Sequence, residues 1–74
     1  MPPLPIISAE ECIRALRKFG YEAARQKGSH VRLVRAGRKP VTVPMHRTLK
    51  RGTLRAILRE AEISVEEFAT TLGR

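Results

Sequence analysis

The apolar residues Cys12, Ile13, Leu16 and Phe19 recur at helical spacing, while Arg14, Arg17 and Lys18 fall mostly outside their stripe. Ser8 stands three residues before Glu11, the pattern of a capping box, in which hydroxyl and carboxylate each satisfy an otherwise orphan backbone N–H. The spacing predicts a first helix over residues 9–19, with Gly20 as a left-handed stop. Beyond Gly20 the period shortens towards two. Residues 21–26 read as one strand, and Val31 and Leu33, alternating with Arg32 and Val34, read as a second. Lys27, Gly28 and Ser29 form the predicted turn between them.

A further turn at Ala36, Gly37, Arg38 and Lys39 leads into Val41-Thr42-Val43, whose valines share one face, and Pro44 ends that strand. Residues 45–52 read as a basic loop. A helix then opens near Thr53, with Leu54, Ile57, Leu58 and Ala61 as its apolar stripe. A second capping box, Ser64 with Glu67, starts a short last helix that carries Val65, Phe68 and Leu72 towards the core before Gly73. At the other end Pro2, Pro3 and Pro5 lack backbone donors, so residues 1–7 read as an extended leader and the fold is expected to start at Ser8. Strands joined by short turns imply an antiparallel meander, and amphipathic helices can cover one of its faces. The fold class expected is α+β, a two-layer sandwich of order α-β-β-β-α with a short extra C-terminal helix, in a single domain spanning residues 1–74.

Composition changes the picture chiefly through charge. Fifteen Lys and Arg against seven acidic residues give a net charge of +8, which favours a polyanionic partner. A solubilising surface is the plain alternative. Three aromatic residues and no Trp offer no stacking platform for bases, so contact with nucleic acid must lean on charge. Cys12, the single cysteine, has no partner for a disulfide or a zinc site and reads as a small buried hydrophobe. No signal-like or membrane-spanning run is legible, and the chain reads as soluble and cytoplasmic.

If Val31 and Leu33 point into the core, the pleat sends His30 and Arg32 to the open face of the sheet. Cleavage of RNA without metal needs a base for the 2′-hydroxyl proton and positive groups to stabilise the pentacoordinate phosphate. Imidazole suits the first role, and Lys27, Arg32 and the backbone donors of the Gly28-Ser29 turn suit the second. Ser29 can position His30 or the phosphate. His46 is either a second acid or base or a cap on the end of the sheet. Lys50 and Arg51, with Arg35, Arg38, Lys39 and Arg47, fall in segments able to border one end of the sheet and track a phosphate chain; each also reads as an ordinary solvated charge. No Asp occurs, and the Glu residues are explained by helix starts or are dispersed, so no metal site and no other cofactor is expected.

The order of motifs also resembles a known family. The residues are the run from Ile13 to Tyr21 (IRALRKFGY), then Arg25-Gln26-Lys27-Gly28-Ser29-His30-Val31, Val43-Pro44-Met45-His46, the run from Arg51 to Ala61 (RGTLRAILREA), and Ile63-Ser64 with Glu66-Glu67-Phe68 behind. This pattern resembles HicA, also called YcfA-like, from Ile6 to about Phe68. The resemblance implies a fold like the double-stranded RNA-binding domain and a metal-independent mRNA interferase in which the His of Gly-Ser-His, here His30, is catalytic. It further implies neutralisation by a HicB-type antitoxin, with mRNA as substrate and no membrane or small-molecule cofactor as partner. Glu62 departs from the pattern, standing where the family usually has Gly after the helix, so a helix stop that is geometrically different or mildly strained is expected there. The loop over residues 46–50 is shorter and more basic than usual in the family. Two alternatives belong to other classes: a non-catalytic RNA-binding module of this fold, and a degenerate relative whose remaining role is protein association.

Overall fold

The computed structural model describes residues 4–73. The elements run α1 (Ala9–Lys18), β1 (Glu22–Lys27), β2 (His30–Val34), β3 (Val41–Pro44), α2 (Arg51–Ala61) and α3 (Val65–Leu72). The strands form one antiparallel sheet of order β1-β2-β3. This is the α+β order expected from the periodicity.

Both capping boxes form. The Glu11 and Glu67 amides donate to the hydroxyls of Ser8 and Ser64 at 3.1 Å each, and each Glu carboxylate accepts from the capping residue's own amide. One of the orphan donors at each helix start is thereby satisfied within three residues of chain. Helix α1 closes at Phe19, and Gly20, at φ +95°, turns the chain into the sheet.

The core lies between the helices and one face of the sheet. Val31 and Leu33 of β2 and Val41 and Val43 of β3 meet Cys12 and Leu16 of α1, Leu54, Ile57 and Leu58 of α2, and Phe68 of α3. Each such aliphatic or aromatic side chain, fully buried, contributes about 1.5–3 kcal/mol. Tyr21 is also fully buried, and its hydroxyl donates to the Lys39 carbonyl at 3.2 Å, so its polar end is not stranded.

The structure corrects the expectation at several points. The fold does not start at Ser8: Leu4 and Ile7 are core residues, and Ile7 forms an antiparallel bridge with Leu49. The Leu49 amide donates to the Ile7 carbonyl at 2.8 Å, and Arg51 Nε donates to the Leu4 carbonyl at 2.9 Å. Two apolar side chains in a segment without its own ladder are best satisfied by pairing with another irregular segment, and the basic loop supplies it. The predicted leader thus falls into a docked part and residues 1–3, with Pro2 and Pro3, which lie outside the described residues. Helix α2 starts at Arg51 rather than near Thr53, because Gly52 falls in a first turn whose amides need no helical partner. Lys27 belongs to β1, leaving Gly28 and Ser29 as a two-residue connection.

At the end of α2, Glu62 adopts the left-handed conformation, φ 58° and ψ 42°, and is the one non-glycine residue among those described with positive φ. Arg38 Nη1 donates to the Ala61 and Glu62 carbonyls at 3.3 and 3.4 Å and lies 3.9 Å from the Glu62 carboxylate. The strained stop is held by an arginine from the β2–β3 connection.

Candidate active site

Strand β2 divides its side chains cleanly between two environments. Val31 and Leu33 are buried, whereas His30, Arg32 and Val34 are exposed on the opposite face. Pairing then decides what stands beside His30. The short connection at Gly28-Ser29, with Gly28 at φ +59°, sets Lys27 opposite His30 and Arg25 opposite Arg32. On the other side, β3 places Pro44 opposite His30 and Thr42 opposite Arg32. Arg25, Lys27, His30, Arg32 and Thr42 line one shallow cleft of about 200 Å³ on the open sheet face.

Within the cleft Arg32 Nη1 donates to Thr42 Oγ1 at 3.4 Å. Among the described residues, the side chains of Arg25, Lys27 and His30 have no hydrogen-bond or ion-pair partner. Such a group of cations beside an exposed imidazole offers a phosphate both charge and donors. Ser29 directly precedes His30 and is not among the residues that line the cleft; its carbonyl accepts from the Met45 amide at 2.6 Å, tying the turn to the segment after β3. No other part of the chain approaches Gly28 closely, and its positive φ is what favours glycine there.

The remaining expected residues lie apart from this cleft. His46 lines a separate depression with Ser8, Glu10 and Arg47 at the start of α1, where its backbone carbonyl accepts from the Ala9 amide at 3.0 Å. Lys50 is the exposed N-cap of α2 and makes no side-chain cap bond. Arg51 contributes one nitrogen to the Leu4 carbonyl, a structural tie. Arg25, by contrast, lines the cleft although the sequence analysis gave it no role. Arg25 shares a face with Lys27 two positions on, a signal hidden while Lys27 was assigned to the turn rather than to β1.

Charge also distinguishes the thiol from a reactive site. Cys12 is fully buried, and burial pushes its thiol from 9.0 up to about 12, so it is held neutral. Among the described residues no three His, Cys, Asp or Glu side chains converge as a metal site would require, and no helix is long and apolar enough to cross a membrane.

The fold and cleft together define a small basic α+β protein with an anion-receptive sheet face that carries a histidine. Residues 9–63 match the model of the HicA toxin of bacterial toxin–antitoxin systems, and the chain belongs to that family. Among solved structures it is similar to a chain of a toxin–antitoxin complex from Streptococcus pneumoniae, at 29% identity and a TM-score of 0.70, covering 77% of this chain and 98% of that one. No curated protein matches the sequence.

Proposed function

We propose that this chain is a metal-independent endoribonuclease, the toxin of a type II toxin–antitoxin pair, and that His30 is its catalytic residue. The observation that carries the reading is the cleft in which an unpartnered, exposed imidazole stands among Arg25, Lys27 and Arg32. His30 takes the proton from a ribose 2′-hydroxyl, and the oxygen attacks the adjacent phosphorus. The bond to the next nucleotide's 5′-oxygen breaks, solvent protonates that oxygen, and the products are a 2′,3′-cyclic phosphate and a 5′-hydroxyl. Lys27 and Arg32 stabilise the charge that grows on the phosphate, and the amides of Gly28 and Ser29, in the turn before His30, are proposed as further donors.

Single-stranded mRNA in the cytoplasm is the proposed substrate. Lys50 and Arg51, and His46 in its own depression, are proposed as more distant contacts to the RNA chain rather than parts of the reacting centre. A HicB-type antitoxin is the proposed partner; family membership and the similarity to a chain of a toxin–antitoxin complex support it. The basic face around His30 suits an acidic surface on such a partner.

The test is cleavage of labelled RNA by the purified chain in EDTA, beside induced expression in cells. His30→Ala is expected to lose cleavage by about 10²–10⁴-fold and to relieve growth arrest, with its melting temperature unchanged because an exposed imidazole packs against little. Equal cleavage by both forms removes His30 from its role. RNA binding without cleavage by the native chain leaves a binding module instead.

A further inference from the structure

The two arginines of the cleft face each other across the β1–β2 ladder: Arg25 pairs with Arg32. Like charges directly opposite destabilise a sheet, and this pair has no carboxylate between its members to offset the repulsion. The one acid of β1, Glu22, stands opposite Val34 and lines a different depression with Arg17 and Tyr21. Arg32 is steadied from the β3 side by Thr42, whereas Arg25 reaches the cleft from the β1 side with no partner among the described residues.

Backbone geometry is arranged to keep Arg25 there. The ladder slips between Ala23 and Arg25, leaving Ala24 as the extra residue of a β-bulge. An unbroken strand alternates strictly, so Tyr21, Ala23, Arg25 and Lys27 would all share one face. The bulge resets that alternation, and Tyr21 enters the core while Arg25 and Lys27 stay on the open face with His30. A regular strand would have to give up either the buried tyrosine or the exposed cations.

We propose that Arg25 and Arg32 act as the two arms of a clamp on one phosphodiester group of single-stranded nucleic acid, held beside His30. The proposal rests on the RNA-cleaving reading above for its purpose, but the clamp is a binding site that can be measured without cleavage. Two guanidinium forks on neighbouring strands can donate to different oxygens of one phosphate, and the anion removes the repulsion that sets them apart. Arginine is needed because a lysine ammonium is a point charge without the fork. The clamp reads backbone rather than base, since the cleft holds no Phe, Tyr or Trp side chain to serve as a stacking platform.

The experiment uses the full chain and a 2′-deoxy tetranucleotide, which carries phosphodiesters but no 2′-hydroxyl to react. Binding is read from the His30 imidazole signals in NMR, beside cleavage of the matching RNA in EDTA. Arg25→Ala is expected to weaken tetranucleotide binding at least ten-fold, with Arg25→Lys in between. Arg55→Ala, which removes an exposed charge from α2, changes binding less than two-fold. All variants should melt as the parent does, because each replaced side chain is exposed. Binding by Arg25→Ala within two-fold of Arg55→Ala overturns the clamp, as does a parent chain that leaves the His30 signals unmoved. If the parent cleaves RNA and Arg25→Ala binds normally, the nuclease stands and the clamp falls. If the tetranucleotide binds as expected but RNA stays whole, the clamp stands and the nuclease reading falls.

Discussion

The covered and open faces of β2 are built from alternate residues of one five-residue strand, yet they obey opposite rules. Val31 and Leu33 sit in a packed interior where volume decides stability. His30 and Arg32 sit one residue away in sequence and on the far side of the pleat, among like charges that a stability-driven surface would have separated. One face is optimised for folding. The other sets like charges opposite one another, a repulsion that an anionic ligand would offset.

This contrast can be tested from either side. The largest effect is expected from Leu33→Ala, which empties a fully buried position in the centre of the sheet. It should cost about 2–5 kcal/mol, read by urea unfolding of the purified chain. A loss under about 1 kcal/mol would mean that the covered face is not the close-packed region described.

A second test uses the thiol of Cys12 on the same side. Its folded pKa, about 12, lies above the ordinary value of 9.0, so the folded state keeps a proton that the unfolded chain releases. The thiol's contribution to stability is therefore full below about pH 9.0 and declines as pH rises from 9.0 towards 12. Compared with Cys12→Ala, the parent chain should lose stability more steeply across that window, and a thiol reagent should modify it only on unfolding. Rapid labelling of the folded chain would contradict the burial.

The smallest effect on stability, and the sharpest separation of the faces, is expected from Arg32→Val. Removing one of two opposed cations and placing a β-branched residue on the sheet should leave stability within about 0.5 kcal/mol of the parent, on the stable side. Cleavage of RNA by the same variant should fall at least ten-fold. Destabilisation by more than 1 kcal/mol would show Arg32 to be structural after all.

Much of this organisation was legible in the chain. The capping boxes at Ser8 and Ser64 are local chemistry closed within three residues, so their sequence pattern carries the helix starts. The alternation of β2 is equally local, and it alone puts His30 and Arg32 on the side opposite Val31 and Leu33. The docking of Leu4 and Ile7 was not legible. Prolines advertise irregular backbone, but whether such a segment packs depends on a partner some forty residues away, the bridge at Leu49. Glu62 shows the same limit: the sequence flagged a strained stop, but Arg38, which holds it, comes from a distant turn.

What the sequence determined by itself is therefore the set of elements, the covered and open sides of β2, and the candidate histidine, because each rests on residues within a turn or a pleat of one another. Tertiary structure decided that Arg25 joins Lys27 and Arg32 in the cleft with His30. A bulge at Ala24 cannot be read from periodicity, since one extra residue inverts every side-chain direction on one side of it and none on the other. The two-residue turn sets Arg25 opposite Arg32 on one side of that bulge, and the bulge lets Tyr21, on its other side, enter the core in the same strand.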